Sequence, residues 1–547
     1  MSKSFKKLFL LVAVITMIGT ILAGCKGSDE ASKEEDLSKI EDSAAMADYD
    51  VDVTFKANEP LTFSMLFSDQ PVYPYKADWT LLKEITDRTN VSLDMTIVPM
   101  SDYEQKRSLL ISSGDAPLII PKTYPGQEGP FVSSGAILPV SDYIDWMPNF
   151  KDKVEKWELE GYLDGLRQKD GKFYVLPGLH ENVWQDYTLM VRKDIFDENN
   201  IELPTTWDEL HDALVKLKEI YPDKTPYSDR WKFDSTLNFA SGSFGTIGGW
   251  GLGNGAYFDR ENEEFVFAPA TDEYKEMLTY FHSLVEEGLL DRESFTQEDD
   301  QAESKFVNGE SFVMATNFQE LVRVRGVMDE TLGKGNYEIV KINVPGGPAG
   351  HKLNGTKLEN GIMFSSKAKD DPNFKAMMQF IDWLYYSDEG QELTKWGVED
   401  EHFTKDDSGK RTLLDPWNYL GLNPTGTKDL RVENGFSGGV FSYGGTTELL
   451  HSMMNEEEVK FQDMILSTKT VVDPAPPYPM DQMQSEQLTL VSTPLNDFAK
   501  TSTLQFILGD RDLSEWDAYV AELKSKGMDK FLEIVNGAYE EYKENNK

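Results

Sequence analysis

Cysteine is nearly absent from the 547-residue sequence, which contains only Cys25. A single cysteine cannot build a disulfide framework or a zinc site of paired cysteines. The six histidines are scattered singly, and the sequence has no G-x-S-x-G, H-E-x-x-H or Walker phosphate-binding motif. We therefore expect no metal ion, no cofactor and none of these catalytic centres.

Positive charge is also scarce, because 54 lysines and arginines face 95 aspartates and glutamates, which gives a formal net charge of −41. A surface of this sign repels phosphate backbones, and no cluster of basic residues offers a nucleic-acid footprint. We therefore expect no nucleic-acid partner. Acidity of this kind keeps an exposed protein soluble.

An apolar run lies near the N-terminus, where three lysines within the first seven residues precede Leu8 to Ile15. This arrangement is typical of a signal peptide, and no later run approaches the ~20 apolar residues of a membrane-spanning helix. The run ends at Leu22-Ala23-Gly24-Cys25, which resembles the lipobox of bacterial lipoproteins. The sequence therefore predicts a signal peptide over residues 1–24 and a lipid anchor on Cys25, at the extracellular face of the cell membrane.

Residues 25–52 are rich in Ser, Ala, Asp and Glu, and we expect a disordered acidic tether there.

The rest of the chain, residues 53–547, alternates strand and helix patterns. Leu61 to Phe67 and Val91 to Val98 read as strands, and the apolar spacing over residues 79–85 predicts a helix between them. Such a unit is typical of a parallel sheet in an α/β protein. Ligands of open parallel sheets bind beyond the C-terminal ends of the strands.

Several aromatic residues stand in turn-like, glycine-rich contexts rather than on a helix face. A sugar ring offers apolar C–H faces that stack on indole or phenol rings, so these residues are candidates for ligand binding. A core role is the alternative for each of them. The aromatic candidates are Trp184, Trp250, Trp231, Trp417 and Tyr443. Asp69 and Tyr124 each follow a predicted strand, and we expect them to add polar contacts.

Three segments of the chain carry a family resemblance when they are taken in order. They are Asp170 to Pro177 (DGKFYVLP), Leu189 to Phe196 (LMVRKDIF) and Ile201 to Leu210 (IELPTTWDEL). Together they resemble the extracellular solute-binding proteins of family 1, a group that includes maltose- and oligosaccharide-binding proteins. The resemblance implies a two-lobed periplasmic-binding-protein-like fold with a hinge and a central cleft. It also implies that a small solute, an oligosaccharide by analogy, is enclosed there and delivered to an ABC permease.

The resemblance also implies where the lobes meet. Lobe 1 is expected over approximately residues 53–185 with segments after about 345, and lobe 2 over approximately 186–345 with C-terminal segments. Gln185 to Leu189 and Asn343 to Gly361 are the predicted hinge crossings, and the protein is expected to act as a monomer. Some large relatives carry a calcium loop after the segment that matches Lys193 to Asn200. This chain runs directly to Pro204 instead, which puts a structural calcium ion in doubt.

Two other functions stay open at this level. A surface carbohydrate-active hydrolase would need two carboxylates roughly 5–9.5 Å apart in the cleft. A sensor that presents its ligand to a membrane receptor would have the same fold as a transport protein.

Overall fold

The computed structural model describes residue 37 and residues 42–545 of the chain. The predicted signal peptide, Cys25 and the first part of the predicted tether lie outside the described residues. Among the helices of residues 42–545, none is both long and apolar enough to cross a membrane.

Eight strands of the described chain form two separate sheets. They are β1 (Leu61–Asp69), β2 (Val91–Pro99), β3 (Ile119–Thr123), β4 (Leu176–Leu179), β5 (Thr188–Arg192), β6 (Val313–Thr316), β7 (Ile339–Lys341) and β8 (Leu358–Phe364). The first sheet has the order β2-β1-β3-β8-β4, and the second has the order β6-β5-β7. Further strands form two-stranded pairs, at residues 256–259 with 264–267, 352–353 with 470–471, 403–405 with 411–413 and 417–418 with 428–429.

Helices of eight residues or more accompany both sheets, and this alternation confirms the α/β class. They are α1 (Thr80–Thr89), α2 (Tyr103–Ser113), α3 (Pro148–Lys156), α4 (Trp207–Ile220), α5 (Asp234–Phe244), α6 (Asp272–Glu286), α7 (Asp299–Val307), α8 (Phe318–Thr331), α9 (Phe374–Tyr386), α10 (Asp388–Trp396), α11 (Glu456–Thr468), α12 (Gln482–Leu508), α13 (Trp516–Ser525) and α14 (Met528–Asn545).

The first sheet follows from the strand pattern at the start of the body. β1 is mostly buried, and its consecutive buried residues Met65, Leu66 and Phe67 show that this part of the strand is covered on both faces. It pairs in parallel with β2 from Leu61 opposite Val91 to Asp69 opposite Pro99, and in parallel with β3. β8 is antiparallel to both β3 and β4, so it begins at the edge where β1 and β3 end.

The second sheet belongs to a separate hydrophobic core. Its strands pair antiparallel, and Leu189 and Val313 are fully buried in the same cluster as Trp207 at the start of α4. Trp207 lies flat against Phe239, with the ring centroids 6.3 Å apart. Residues of α12, α13 and α14 also pack into this core, so the C-terminal helices join the second sheet.

The chain passes between the two sheets three times. Residues 180–187 join β4 to β5, and residues 342–357 join β7 to β8, so both predicted hinge stretches lie at passages between sheets. The third passage was not anticipated from the sequence. Gly445 donates its N–H to Leu179 of β4, whereas Glu458 pairs with Lys341 of β7 at 2.9 Å.

Residues 42–52 correct the predicted extent of the tether, because they pack on the body instead of remaining disordered. Ala44 is fully buried, and the Tyr49 hydroxyl donates to Asp382 Oδ2 at 2.8 Å.

Asp382, on α9, also accepts from the backbone N–H groups of Asn149 and Phe150 in the first turn of α3. It thus satisfies donors that the helix cannot pair internally. Burial raises the pKa of this carboxyl to about 6, while the hydrogen bonds from Asn149 and Phe150 oppose the rise.

Replacing Asp382 by Ala is expected to destabilise the protein by on the order of 3 kcal/mol, because several buried donors lose their acceptor at once. Tyr49→Phe removes one of these hydrogen bonds and should cost about 1 kcal/mol. Urea denaturation of the mature protein measures both values. The control is Asp48→Ala, which changes an exposed carboxylate of the same segment. If Asp382→Ala unfolds at the same urea concentration as this control, Asp382 does not hold the segment in place.

Candidate functional site

A cavity of about 550 Å³ lies where strands of the first sheet end, and we call it the cleft cavity. Ser68 near the end of β1, Lys122 near the end of β3 and Glu359 at the start of β8 all line it. These residues meet at one edge because β8 runs antiparallel to its neighbours. The volume lies within the range of roughly 300–1,000 Å³ that is usual for small-molecule sites.

The other wall of the cleft cavity comes from the passages between sheets and from α8. Tyr187 lies in the first passage, and Phe318 and Gln319 begin α8 directly after β6. Asp186 holds these parts together, because its Oδ1 accepts from the Phe318 N–H at 2.9 Å. Met453 of the third passage completes this wall. The cavity is therefore bounded by segments that belong to both sheets.

Three of the seven predicted ligand-binding residues line the cavity. Trp184 and Tyr124 are 38% and 47% exposed, and Tyr443 is buried in the lining. The Trp184 ring lies 5.9 Å from the ring of His180, with the two planes at 77°. Tyr443 approaches the sheet closely because Gly178 has no Cβ, which would lie 2.8 Å from the Cβ of Tyr443.

Two more predicted residues form a ring cluster with the lining residue Tyr187. The Tyr187 ring lies 5.5 Å from Trp231 and 5.3 Å from Trp250, and the two tryptophans are 5.6 Å apart. Trp231 and the next two residues all have positive φ, a costly conformation for residues other than glycine. Such strained runs are concentrated at functional sites, and here the strain places an indole beside the cavity wall.

Trp417 and Asp69 are not part of the lining. The Trp417 ring stacks on His402 at 5.3 Å, and its indole N–H donates to the carbonyl of Glu401. Asp69 accepts from the backbone N–H of Tyr75 at 2.7 Å, so its carboxylate holds a turn. Both side chains make local contacts within the fold, so we no longer expect them to contact the ligand.

The polar floor of the cleft cavity holds a carboxylate and a lysine that the sequence patterns did not single out. Glu359 Oε2 lies 3.0 Å from His180 Nε2 and accepts from the Gly444 N–H at 2.8 Å. Burial raises the pKa of Glu359, but these contacts outweigh it and hold the pKa below its usual range. Lys395 on α10 is 3% exposed, and burial lowers its pKa to about 8 although Glu359 opposes the change.

Arg431 and two tyrosines form another part of the lining that sequence reasoning missed. The Arg431 guanidinium lies 5.1 Å from the centre of the Tyr73 ring and 5.4 Å from that of Tyr419, and it donates to Asp429 at 2.9 Å. Tyr419, Asp429 and Arg431 come from one stretch of the chain, whereas Tyr73 comes from a distant segment near the N-terminal end of the body. No local spacing in the sequence brings Tyr73 to Arg431.

The polar lining contains atoms without a hydrogen-bond partner in the described structure. They are Lys395 Nζ, Tyr443 Oη and Asn360 Oδ1, and all three residues line the cleft cavity. Buried polar atoms are normally paired, so unpaired ones in one cavity indicate a place where a polar ligand binds. Within residues 42–545, no group of three or more His, Cys, Asp and Glu side chains could hold a metal ion.

The exposure of these rings predicts their effect on stability. Trp184→Ala and Trp250→Ala should change the free energy of unfolding by no more than about 1 kcal/mol, because 38% and 47% of these residues are already exposed to solvent. Trp207→Ala, which empties a fully enclosed position, should cost about 3–5 kcal/mol. Chemical denaturation compares the three variants. A loss for Trp184→Ala as large as that for Trp207→Ala would show that Trp184 is a core residue.

Comparisons with known proteins agree with this architecture. A family model described as bacterial extracellular solute-binding protein matches residues 75–392. The polygalacturonan/rhamnogalacturonan-binding protein YtcQ of Bacillus subtilis is 23% identical over 547 residues, covering 98% of this chain and 99% of YtcQ. The fructooligosaccharide ABC transporter substrate-binding protein FusA of Streptococcus pneumoniae is 24% identical over 568 residues, covering 99% of each chain.

A solved structure supports the fold directly. The HMO-binding, ABC-transporter-associated solute-binding protein of Bifidobacterium longum infantis matches with a TM-score of 0.67 and 20% identity, covering 89% of this chain and 99% of that one. The periplasmic-binding-protein-like fold expected from the sequence is thereby confirmed. Because the family model also covers more than half of the sequence, the chain belongs to the family of bacterial extracellular solute-binding proteins.

Proposed function

We propose that this protein is the substrate-binding component of an ABC importer and that it captures an oligosaccharide in the cleft cavity. One observation carries the proposal: the cavity combines accessible aromatic rings with buried polar atoms that have no partner in the described structure. A saccharide needs both, because its C–H faces pack on rings and its hydroxyls require hydrogen bonds. The names of YtcQ and FusA, which both refer to saccharides, support the same ligand class.

Capture would proceed by closure of the two lobes on the ligand. The rings divide between the two sides, with Tyr124 after β3 on one and the Tyr187, Trp231 and Trp250 cluster on the other. A ligand that contacts both sides binds the closed arrangement better than the open one, so it shifts the population towards closure. The three passages between sheets are the segments where the backbone would bend.

A binding role fits the cavity better than hydrolysis does. Hydrolysis of a glycosidic bond generally uses a pair of carboxylates, whereas Glu359 is the one carboxylate in the described lining. Glu359 already accepts from His180 and Gly444, and its pKa lies below the usual range, which is unsuitable for a general acid. A sensor would share this cavity, but the name of FusA, an ABC transporter substrate-binding protein, favours solute capture for transport.

A panel of oligosaccharides tests the proposal through thermal melting of the purified mature protein. A ligand present at about 100 times its Kd should add about 2.7 kcal/mol to the free energy of unfolding, because it binds only the folded state. Trp184→Ala should weaken binding of the stabilising sugar by about tenfold or more while retaining its melting temperature. Trp417→Ala is the matched control, since this indole is outside the cavity. Equal loss of affinity in both variants would contradict the assignment of the cavity.

Attachment to the membrane through Cys25 completes the proposal, because a permease partner requires the binding protein to remain nearby. One acyl chain holds a protein only marginally, whereas the two chains of a diacylglyceryl group make attachment stable. Cys25→Ser should abolish incorporation of labelled fatty acid and release the protein from the membrane fraction. Unchanged labelling of this variant would refute the anchor.

A further inference from the structure

The cleft cavity carries a charge opposite to that of the protein around it. Three cationic side chains line it, Lys122, Lys395 and Arg431, against the one carboxylate of Glu359. Over the whole chain the ratio is reversed, with 54 lysines and arginines against 95 aspartates and glutamates. A cleft of one sign concentrates the field within it and favours ligands of the other sign.

Lys395 is the cation of the lining that has no hydrogen-bond partner among the described residues. Arg431 pairs with Asp429 through two of its nitrogens, and Lys122 Nζ donates to Ser68 Oγ at 3.3 Å. Lys395 Nζ, by contrast, has no hydrogen-bond partner among the described residues, although Lys395 is only 3% exposed. Leaving an ammonium buried and unpaired is costly, and an anion bound beside it would remove the cost.

Glu359 of β8 offsets only part of this cost, because it acts on Lys395 through charge and without a hydrogen bond. Its Oε2 is shared between His180 and the Gly444 N–H, and no ion pair joins it to Lys395 in the described structure. Burial lowers the pKa of Lys395 to about 8, and an anion bound beside its ammonium would favour the charged form. Tyr443, whose hydroxyl is also unpartnered, lies in the same lining and can donate to the same anion.

We propose that the cleft cavity is built for an anionic oligosaccharide, with an acidic substituent of the sugar bound at Lys395 and Tyr443. This inference rests on the proposed function and specifies its ligand class. Sugar carboxylates and sugar sulfates share the required chemistry, which is a compact group of acceptor oxygens with negative charge. Asn360 Oδ1 accepts from a sugar hydroxyl, and the ring of Trp184 covers an apolar face of the sugar.

Calorimetric titration with matched pairs of oligosaccharides tests this proposal. The anionic probes are trimers of galacturonate, trimers of mannuronate and a sulfated galactan oligomer, each paired with its carboxyl-reduced or desulfated counterpart. At least one anionic probe should bind about tenfold or more tightly than its neutral partner, since a charged hydrogen bond is worth about that ratio. The carboxylate and sulfate arms distinguish the two sources of the charge.

Lys395→Met, which keeps the length of the side chain and removes its charge, should lower affinity for the preferred anionic probe by about tenfold and leave the melting temperature unchanged or higher. Lys524→Met, at an exposed lysine of α13, is the control and should bind normally. With the wild-type protein, raising NaCl from about 0.05 to about 0.5 M should weaken binding of the anionic probe, a result that requires no variant.

The outcomes separate this inference from the proposed function. If a neutral counterpart binds as tightly as its anionic partner, or if Lys395→Met retains full affinity, the anionic assignment is wrong and oligosaccharide binding stands. If neither set binds, and the neutral fructo-, malto- and xylo-oligosaccharides in the same screen also fail, the proposed function is wrong as well.

Discussion

The position of β8 is the constraint on which the cleft cavity depends. This strand returns from the second sheet and inserts antiparallel between β3 and β4, and both pairings shift register at Gly361. A Cβ at Gly361 would lie 1.9 Å from the carbonyl oxygen of Leu176, so only glycine permits the approach. The insertion buries Met363 and Phe364 and leaves Glu359 and Asn360 at the edge where β1 and β3 end. Without it, the cationic and aromatic groups of the lining would have no common floor.

Much of the scaffold could be predicted from the sequence because local patterns determine it. The strands predicted at Leu61 to Phe67 and Val91 to Val98 correspond to β1 and β2, and they pair in parallel as the helix between them requires. Thr206 caps α4 by accepting from the Glu209 N–H, a contact between residues only three positions apart. The end of the tether could not be predicted, because the segment before residue 53 has the composition of disordered chain. Its order comes from contacts with Asp382, more than 300 residues away.

The site could be predicted only in part, for a related reason. Loop aromatics such as Trp184 and Trp250 carry a local signal, since glycine and polar neighbours mark them as outside the helices. Trp417 carried the same signal, and Asp69 was expected because it follows a predicted strand, but both proved to hold local structure. Lys395 carried a different signal, which a search for motifs does not detect. It is a lysine between Leu393 and Trp396 on a helix, and its neighbours on that helix are buried. A long cation on an apolar helix face is either paired or directed into a cavity.

The passages between sheets are bound to one another near both sheets, which bears on how the proposed closure could occur. Near the second sheet they are joined through Lys341, which donates to the carbonyl of Asp186 at 2.8 Å and to Glu458 at 2.9 Å. Gln462 adds a bond to the carbonyl of Gln185 at 2.7 Å. On the side of the first sheet, the third passage contains Gly444 and Gly445 with φ values of 62° and 142°, a range that other residues rarely adopt. The passages are also bound to one another there, because Gly445 donates its N–H to Leu179 and accepts from the Glu181 N–H, and His180 donates its N–H to Lys357. The proposed closure would therefore bend the passages between these two bound ends and would move the ring cluster at Tyr187 and Trp250 towards Tyr124 and the charged floor at Lys395.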